Sequence, residues 1–293
     1  MIVGGERMLN RFELIKPQSL QEALSIKANH SCTPIAGGTD LLVKIKKKML
    51  APQQVMDLTE LKELSQIKEE DDRLRIGALA THTEIIEDPL VQEYAPLLVE
   101  ACNTVGSPQI RNKGTIGGNI ITASPAADTI PALVCLNAEV VLSSTRGQRE
   151  ISLEDFVTGP GKTQLAQDEL LVEIIVDKMK PGEKFVYRKL GQRKALAISV
   201  AGVALRMEKD QSNKCKHVAI AFGAVSPVIR RATNLENYLA GKLLTGETIK
   251  EVVELAKQNC SPITDIRASK EYRQNMCSSL LFESLLRLVG MPV

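Results

Sequence analysis

The chain has 293 residues with 37 basic against 35 acidic side chains, a formal net charge of +2, and 44% apolar and 25% charged residues. Such a composition belongs to a folded chain with length for about two domains, not to a disordered one. With so balanced a charge, five Phe, four Tyr and no Trp, nothing supports a nucleic-acid surface, which needs a basic patch and stacking platforms.

In chain order, "MIVGGERMLNRFELIKP" has no long apolar core and no cleavage site. No apolar run reaches membrane-spanning length, so no membrane span is expected and the chain reads as cytoplasmic. "RFELI" reads as a strand and the residues after Pro17 as a helix capped by Ser19, with Glu22 completing a capping box. "TPIAGGTDLLVKIKKK" gives a short apolar entry, a Gly pair and an apolar run. "EEDD" before "RLRIGA" predicts a turn into a strand, and "THTEIIEDPLVQEYAPLLVEACNTV" predicts helical pieces broken around Pro89 and Pro96. "EVVLSST", "RGQ" and "REISL" make a hairpin, and "DELLVEIIVDK" a strong strand. Lys, Pro and Gly crowd together in "DKMKPGEK", where a domain boundary is placed. Beyond it come three strands ("KFVYRKL", "LAISVAGVALRMEK", "CKHVAIAFGAVSP") and two helices ("GETIKEVVELAKQNC", "SKEYRQNMCSSLLFESLLRLV").

The six cysteines stand singly, with no CxxC pair, so they read as reduced and buried, and neither zinc nor a local iron–sulfur cluster is expected. His30, His82 and His217 have no acid beside them that would make a nucleophilic triad. No catalytic side chain and no metal ligand is assigned.

Two Gly pairs carry the chemistry. "IAGGTDLL" and "GTIGGNI" lie in the first half of the chain, each with a threonine beside its glycines. A phosphate oxygen needs several backbone N–H donors, and glycine lets the backbone approach and adopt positive φ. Either pair alone is weak evidence and more often a turn or bulge between strands. Two together suit the two sides of a pyrophosphate. Neither fits GxGxxG or GxxxxGK[ST], which disfavours a Rossmann fold and a P-loop. Asp40 and Asp128 each follow a small-residue loop and serve equally as local caps or Asx-turns.

The order "IAGGTDLLVKI", "RIGALATHTEI", "GSPQIRNKGTIGGNIITASPAAD" and "TGPGKT", continued by "YRKLGQRKALAISVAGVAL" and "RASKEYR", resembles the FAD-binding medium subunit of molybdenum hydroxylases, the xanthine, nicotinate and carbon-monoxide dehydrogenase family. The resemblance spans essentially the whole chain. It implies an α+β fold: a vanillyl-alcohol-oxidase-like (PCMH-type) FAD-binding domain of two subdomains over 1–178, divided near 58, then a C-terminal α+β domain over 179–293 with a three-stranded antiparallel sheet and helices. It implies that Ala36, Gly37, Gly38, Thr39, Asp40 and Leu41, together with Thr115, Gly117, Gly118 and Asn119, wrap the FAD pyrophosphate. Asp128 would bond the sugar-alcohol region and Ile121 would touch the flavin. Lys189 and Leu196 would lie near the ring, and Ile35 and Ile110 complete the cofactor-binding set.

The same resemblance implies non-covalent FAD in an electron-relay oxidoreductase. A large molybdopterin-binding subunit would oxidise the substrate, and a small [2Fe–2S] subunit would pass electrons to this chain. NAD+ would be the external acceptor and the assembly a dimer of heterotrimers. Two departures narrow the branch. The clustered cysteines of the 4-hydroxybenzoyl-CoA reductase branch are absent, and "KALAISV" has Leu196 where carbon-monoxide dehydrogenases place a tyrosine, which points to xanthine- or nicotinate-type relatives. Two other readings stay open: a stand-alone flavin oxidase or dehydrogenase, with His82 as a covalent attachment point, and a flavin-free assembly subunit.

Overall fold

The computed structural model describes residues 11–193 and 196–292. The leaderless reading of the first ten residues, and Lys194 and Ala195 of "KALAISV", lie outside the described residues.

Three strands open the chain: β1 (Glu13–Ile15), β2 (Thr33–Ile35) and β3 (Gln54–Asp57). They form a parallel sheet in the order β1-β3-β2, which requires the crossover helix Leu20–Asn29 between β1 and β2. Ser19 caps that helix, its hydroxyl accepting from the Glu22 amide at 3.2 Å. The expected box is displaced by one residue: the Glu22 carboxylate accepts from the Gln18 amide, at 2.7 Å, rather than from the cap itself.

The second sheet holds β4 (Ile67–Glu70), β5 (Arg73–Gly77), β6 (Glu139–Ser144), β7 (Gly147–Ser152) and, beyond the small hairpin of β8 (Val157–Gly159) and β9 (Lys162–Thr163), β10 (Leu170–Asp177). Its order is β4-β5-β10-β6-β7, antiparallel throughout. β10 is central and buried on both faces, hence its apolar run, interrupted only by Glu173. Leu170, Val172 and Ile175 face one core, while Leu171, Ile174 and Val176 face another. A bulge between Leu171 and Glu173 inverts the alternation, so that both faces stay apolar despite Glu173.

Helices cover this sheet. The stretch expected as two broken pieces is three helices, His82–Glu87, Pro89–Tyr94 and Pro96–Asn103. Each proline sits at a first helical position, where no amide is missed. The "TIGGN" stretch, expected as a loop between strands, is instead the helix Ile116–Thr122, capped by Thr115. Thr129–Cys135 is a second helix the sequence did not announce. Its Pro131 stands in the first turn, where amides have no intrahelical partner to lose.

The break at "DKMKPGEK" is the gap between β10 and β11 (Lys184–Gly191). With β12 (Ser199–Lys209) and β13 (Cys215–Gly223), β11 forms the expected three-stranded antiparallel sheet. Helices Gly246–Ala256 and Lys270–Val289 pack over its far face, joined by Thr233–Leu239, which was not expected. Its near face meets the buried helix Thr129–Cys135, and Ala204, Ala219 and Ala221 belong to the same core cluster as Ile76 and Leu133. Small side chains on β12 and β13 let that helix lie close, and the Cys135 thiol donates to the Ala204 carbonyl at 3.3 Å. The core is therefore continuous across the break.

Candidate cofactor cleft

A cleft of about 430 Å³ opens between the first two sheets, within the usual range for cofactor sites. Both Gly pairs line it. Ile35, Ala36, Gly37, Gly38, Thr39, Asp40 and Leu41 form one wall, and Ile110, Thr115, Gly117, Gly118, Asn119 and Ile121 the other. Thirteen of the sixteen residues singled out from the sequence thus meet in one place.

The glycines have different jobs. A Cβ on Gly37 would lie 1.5 Å from the Lys113 carbonyl oxygen, and one on Gly117 2.6 Å from the Ala78 carbonyl oxygen. These two are glycine so that protein backbones can touch. Gly38 has φ of +68° and turns the chain into the helix Leu41–Lys46. Only Gly118 presents a bare face: a Cβ there would meet nothing but the Thr115 hydroxyl, at 2.9 Å.

The two walls also differ as donors. Among the described residues, the amides of Gly37, Gly38, Thr39 and Asp40 donate to no group of the chain. In the second wall, Ile116 donates to Ala80, Gly117 to Ala78 and Asn119 to Thr115 carbonyls, and Gly118 donates to the Thr115 hydroxyl at 3.1 Å. Four unused amides on the first wall fit a diphosphate, which needs several donors and no bulk. The second wall offers a flat, close surface. The Asp40 carboxylate ties the walls together, bonded to Lys44 at 2.7 Å and accepting from the Thr122 hydroxyl at 3.1 Å.

Asp128, Lys189 and Leu196 stand outside this lining. Asp128 makes neither a cap nor an Asx-turn. Its carboxylate bonds the Lys189 ammonium at 2.6 Å and accepts from the Ser199 hydroxyl at 2.5 Å. Lys189 also donates to the Thr104 carbonyl at 2.9 Å, next to Val105 of the cleft wall. The pair therefore sits beside the cleft wall at Val105. Burial raises the Asp128 pKa above the ordinary carboxylate value, against the opposing pull of Lys189 and Ser199. Leu196 is 54% exposed in a left-handed backbone conformation.

His82 also lines the cleft but is 2% exposed. Its Nδ1 lies 3.6 Å from the Cys102 sulfur. Burial, and then the nearby Arg111 charge, lower its pKa to about 4. It is a neutral ring packed under the Gly114 turn. All six cysteines are buried and free, and burial pushes the Cys102 and Cys135 thiols up. Among the described residues no cluster of His, Cys, Asp and Glu fits a metal ion, and no helix is long and apolar enough to cross a membrane.

Sequence reasoning missed Leu79 and the far wall of Leu165, Leu170 and Leu171. Leu79 lies inside "RIGALATHTEI" and was within reach. The far wall carries no local signal, because only the sheet order brings the start of β10 against the glycines.

Two family models cover nearly the whole chain: the FAD-binding domain in molybdopterin dehydrogenase over residues 10–178, and the C-terminal domain of carbon monoxide dehydrogenase flavoprotein over residues 186–288. The nicotinate dehydrogenase FAD-subunit of Eubacterium barkeri is 35% identical over 95% of this chain and 98% of its own length. The carbon monoxide dehydrogenase medium chain of Hydrogenophaga pseudoflava is 32% identical over 94% and 96%. Among solved structures, carbon monoxide dehydrogenase from Hydrogenophaga pseudoflava superposes with a TM-score of 0.91 at 32% identity, covering 95% of this chain and 97% of that one. Quinoline 2-oxidoreductase from Pseudomonas putida 86 gives 0.91 at 27% identity, over 96% and 98%. The chain belongs to the FAD-binding subunits of the molybdenum hydroxylase family, whose members are oxidoreductases.

Proposed function

We propose that this chain is the flavin-carrying relay of a molybdenum hydroxylase, holding one non-covalent FAD with its diphosphate on the free amides of residues 37–40. The single observation that carries the assignment is that wall of four uncommitted amides facing the bare Gly118 surface. Bound FAD would supply the exchange between one-electron iron–sulfur donors and a two-electron acceptor. The chain's own part is to bind, orient and exclude water. Asp128 and Lys189 sit beside the cleft wall at Val105, which suits contact with the sugar-alcohol region, and Leu196 is assigned to the ring end by the family resemblance. No side chain is placed as an acid or base.

The proposal includes a division into a FAD domain over 1–178, with subdomains meeting near 58, and a C-terminal domain over 179–293. It includes a large molybdopterin subunit and a small [2Fe–2S] subunit as partners, a dimer of heterotrimers, NAD+ as acceptor and a cytoplasmic location. The neutral, nearly inaccessible His82 ring speaks against covalent attachment, and the intact cleft against a flavin-free role. Anaerobic addition of NADH to the flavin-loaded chain tests the acceptor: bleaching of the visible flavin band supports NAD+, and an unchanged spectrum removes it. Flavin retained in acid-precipitated protein would remove the non-covalent assignment.

A further inference from the structure

The "RASKEYR" segment folds into a charged clamp that the cleft does not use. Asp265 lies between two arginines. Its carboxylate accepts from Arg267 Nη2 and from Arg273 Nη2, each at 2.6 Å, and from the Arg267 amide at 2.8 Å. Arg273 is 1% exposed. A charge that deep needs its donors engaged; both Nη groups are, with two bonds to backbone carbonyls, Val200 at 3.1 Å and Ala224 at 2.9 Å, while Nε has no partner among the described residues. Arg267 donates to the Ser199 carbonyl at 3.1 Å.

Those carbonyls lie on two routes to one carboxylate. The Ser199 hydroxyl donates to Asp128 at 2.5 Å. The Ala224 amide donates to the Pro125 carbonyl at 2.9 Å, three residues before Asp128. So Arg267 and Arg273 fix the backbone on both sides of the Asp128–Lys189 pair while touching neither member of it. An Asp side chain held by two routes, against a lysine, keeps a single orientation, which a site contacting the reactive end of a cofactor needs.

We propose that Asp265, Arg267 and Arg273 are positioning residues for the flavin end of the site, holding Ser199 and Pro125 so that Asp128 stays paired with Lys189 in one geometry. This rests on the reading of Asp128 as a contact to the sugar-alcohol chain that carries the flavin ring. Guanidinium geometry is essential to it: Arg267 uses three nitrogens in two directions, which a lysine cannot reproduce.

The test compares Asp128→Asn, Ser199→Ala, Arg267→Gln and the Ser199→Ala/Arg267→Gln double variant, all as purified full-length chain. FAD dissociation constant, flavin midpoint potential and visible spectrum are measured, with thermal melting of the flavin-free protein as the control on folding. Loss of one charge-assisted bond should weaken FAD about tenfold in each single variant. The double variant should be no weaker than the worse single one, with the same potential shift, because both changes break one route. Independent, multiplying effects would overturn the clamp while leaving Asp128 at the flavin. If Asp128→Asn leaves FAD affinity, potential and spectrum as in wild type, the flavin-end reading fails and the clamp proposal with it. Variants that differ only in melting temperature also overturn it, since a scaffold alone moves stability and not the flavin.

Discussion

Replacing Gly37 and Gly118 by alanine should give opposite kinds of damage. At Gly37 the new methyl would sit 1.5 Å from the Lys113 carbonyl oxygen, less than half a van der Waals contact. Neither partner is a side chain that can rotate away, so the 36–40 and 113–115 backbones must separate. Ordinary overpacking costs about 1–3 kcal/mol, and a backbone clash belongs at or above the top of that range. For a domain of this size that is a melting temperature lower by roughly 10 °C, seen without any cofactor. At Gly118 the methyl meets only the Thr115 hydroxyl, and the cost to the free protein is at most that of a disturbed cap, about 1 kcal/mol. Gly118→Ala should therefore melt near wild type yet bind FAD weakly, and Gly118→Val more weakly still. Calorimetry of the flavin-free proteins, followed by FAD titration, separates the two. A Gly118→Ala protein that binds FAD like wild type, or a Gly37→Ala protein that melts like wild type, would refute the division of labour among the glycines.

Other consequences follow from buried groups. With its pKa lowered to about 4 from the ordinary 6.5, His82 contributes stability that is complete above pH 6.5 and falls away as pH drops toward 4, about 3 kcal/mol in all. His82→Gln should flatten that part of the stability–pH curve measured by urea unfolding, and an unchanged slope would contradict the assignment. Lys189→Met should cost about 3 kcal/mol or more by stranding Asp128, and the added Asp128→Asn change should recover part of it, as read by denaturant midpoints. All six thiols are buried, so a thiol reagent should label almost none in the native protein and all six after unfolding. Rapid native labelling of Cys102 would show that the helix layer opens.

Local signals carried much of this fold. "RGQ" between β-branched runs marked the β6–β7 hairpin, and Ser19 marked a helix start that the structure confirms. Signals failed where tertiary contacts override local preference. Ile116–Thr122 contains a Gly pair and β-branched residues, poor helix formers, yet Thr115 caps it and the Ala78 and Ala80 carbonyls bind its first amides. Thr129–Cys135 went unannounced because Pro131 masks a buried helix. In the cleft, the two Gly pairs were legible as parts of one site, though the second, read as a loop, is a helix whose amides are already used. That Gly37 and Gly117 serve backbone packing was not, because their contact atoms, Lys113 and Ala78, are chosen by the folding of distant segments. The Asp128–Ser199 bond joins two halves of the chain and leaves no trace in spacing.

The central claim, a single FAD held between the 35–41 and 110–121 walls, is tested most directly by amide hydrogen exchange of the flavin-free chain with and without FAD. One equivalent of FAD should protect the amides of residues 37–40 strongly and the Gly118–Thr122 face moderately, with little change on the helices Gly246–Ala256 and Lys270–Val289. FAD that binds while leaving the amides of residues 37–40 as exposed as before would contradict the account.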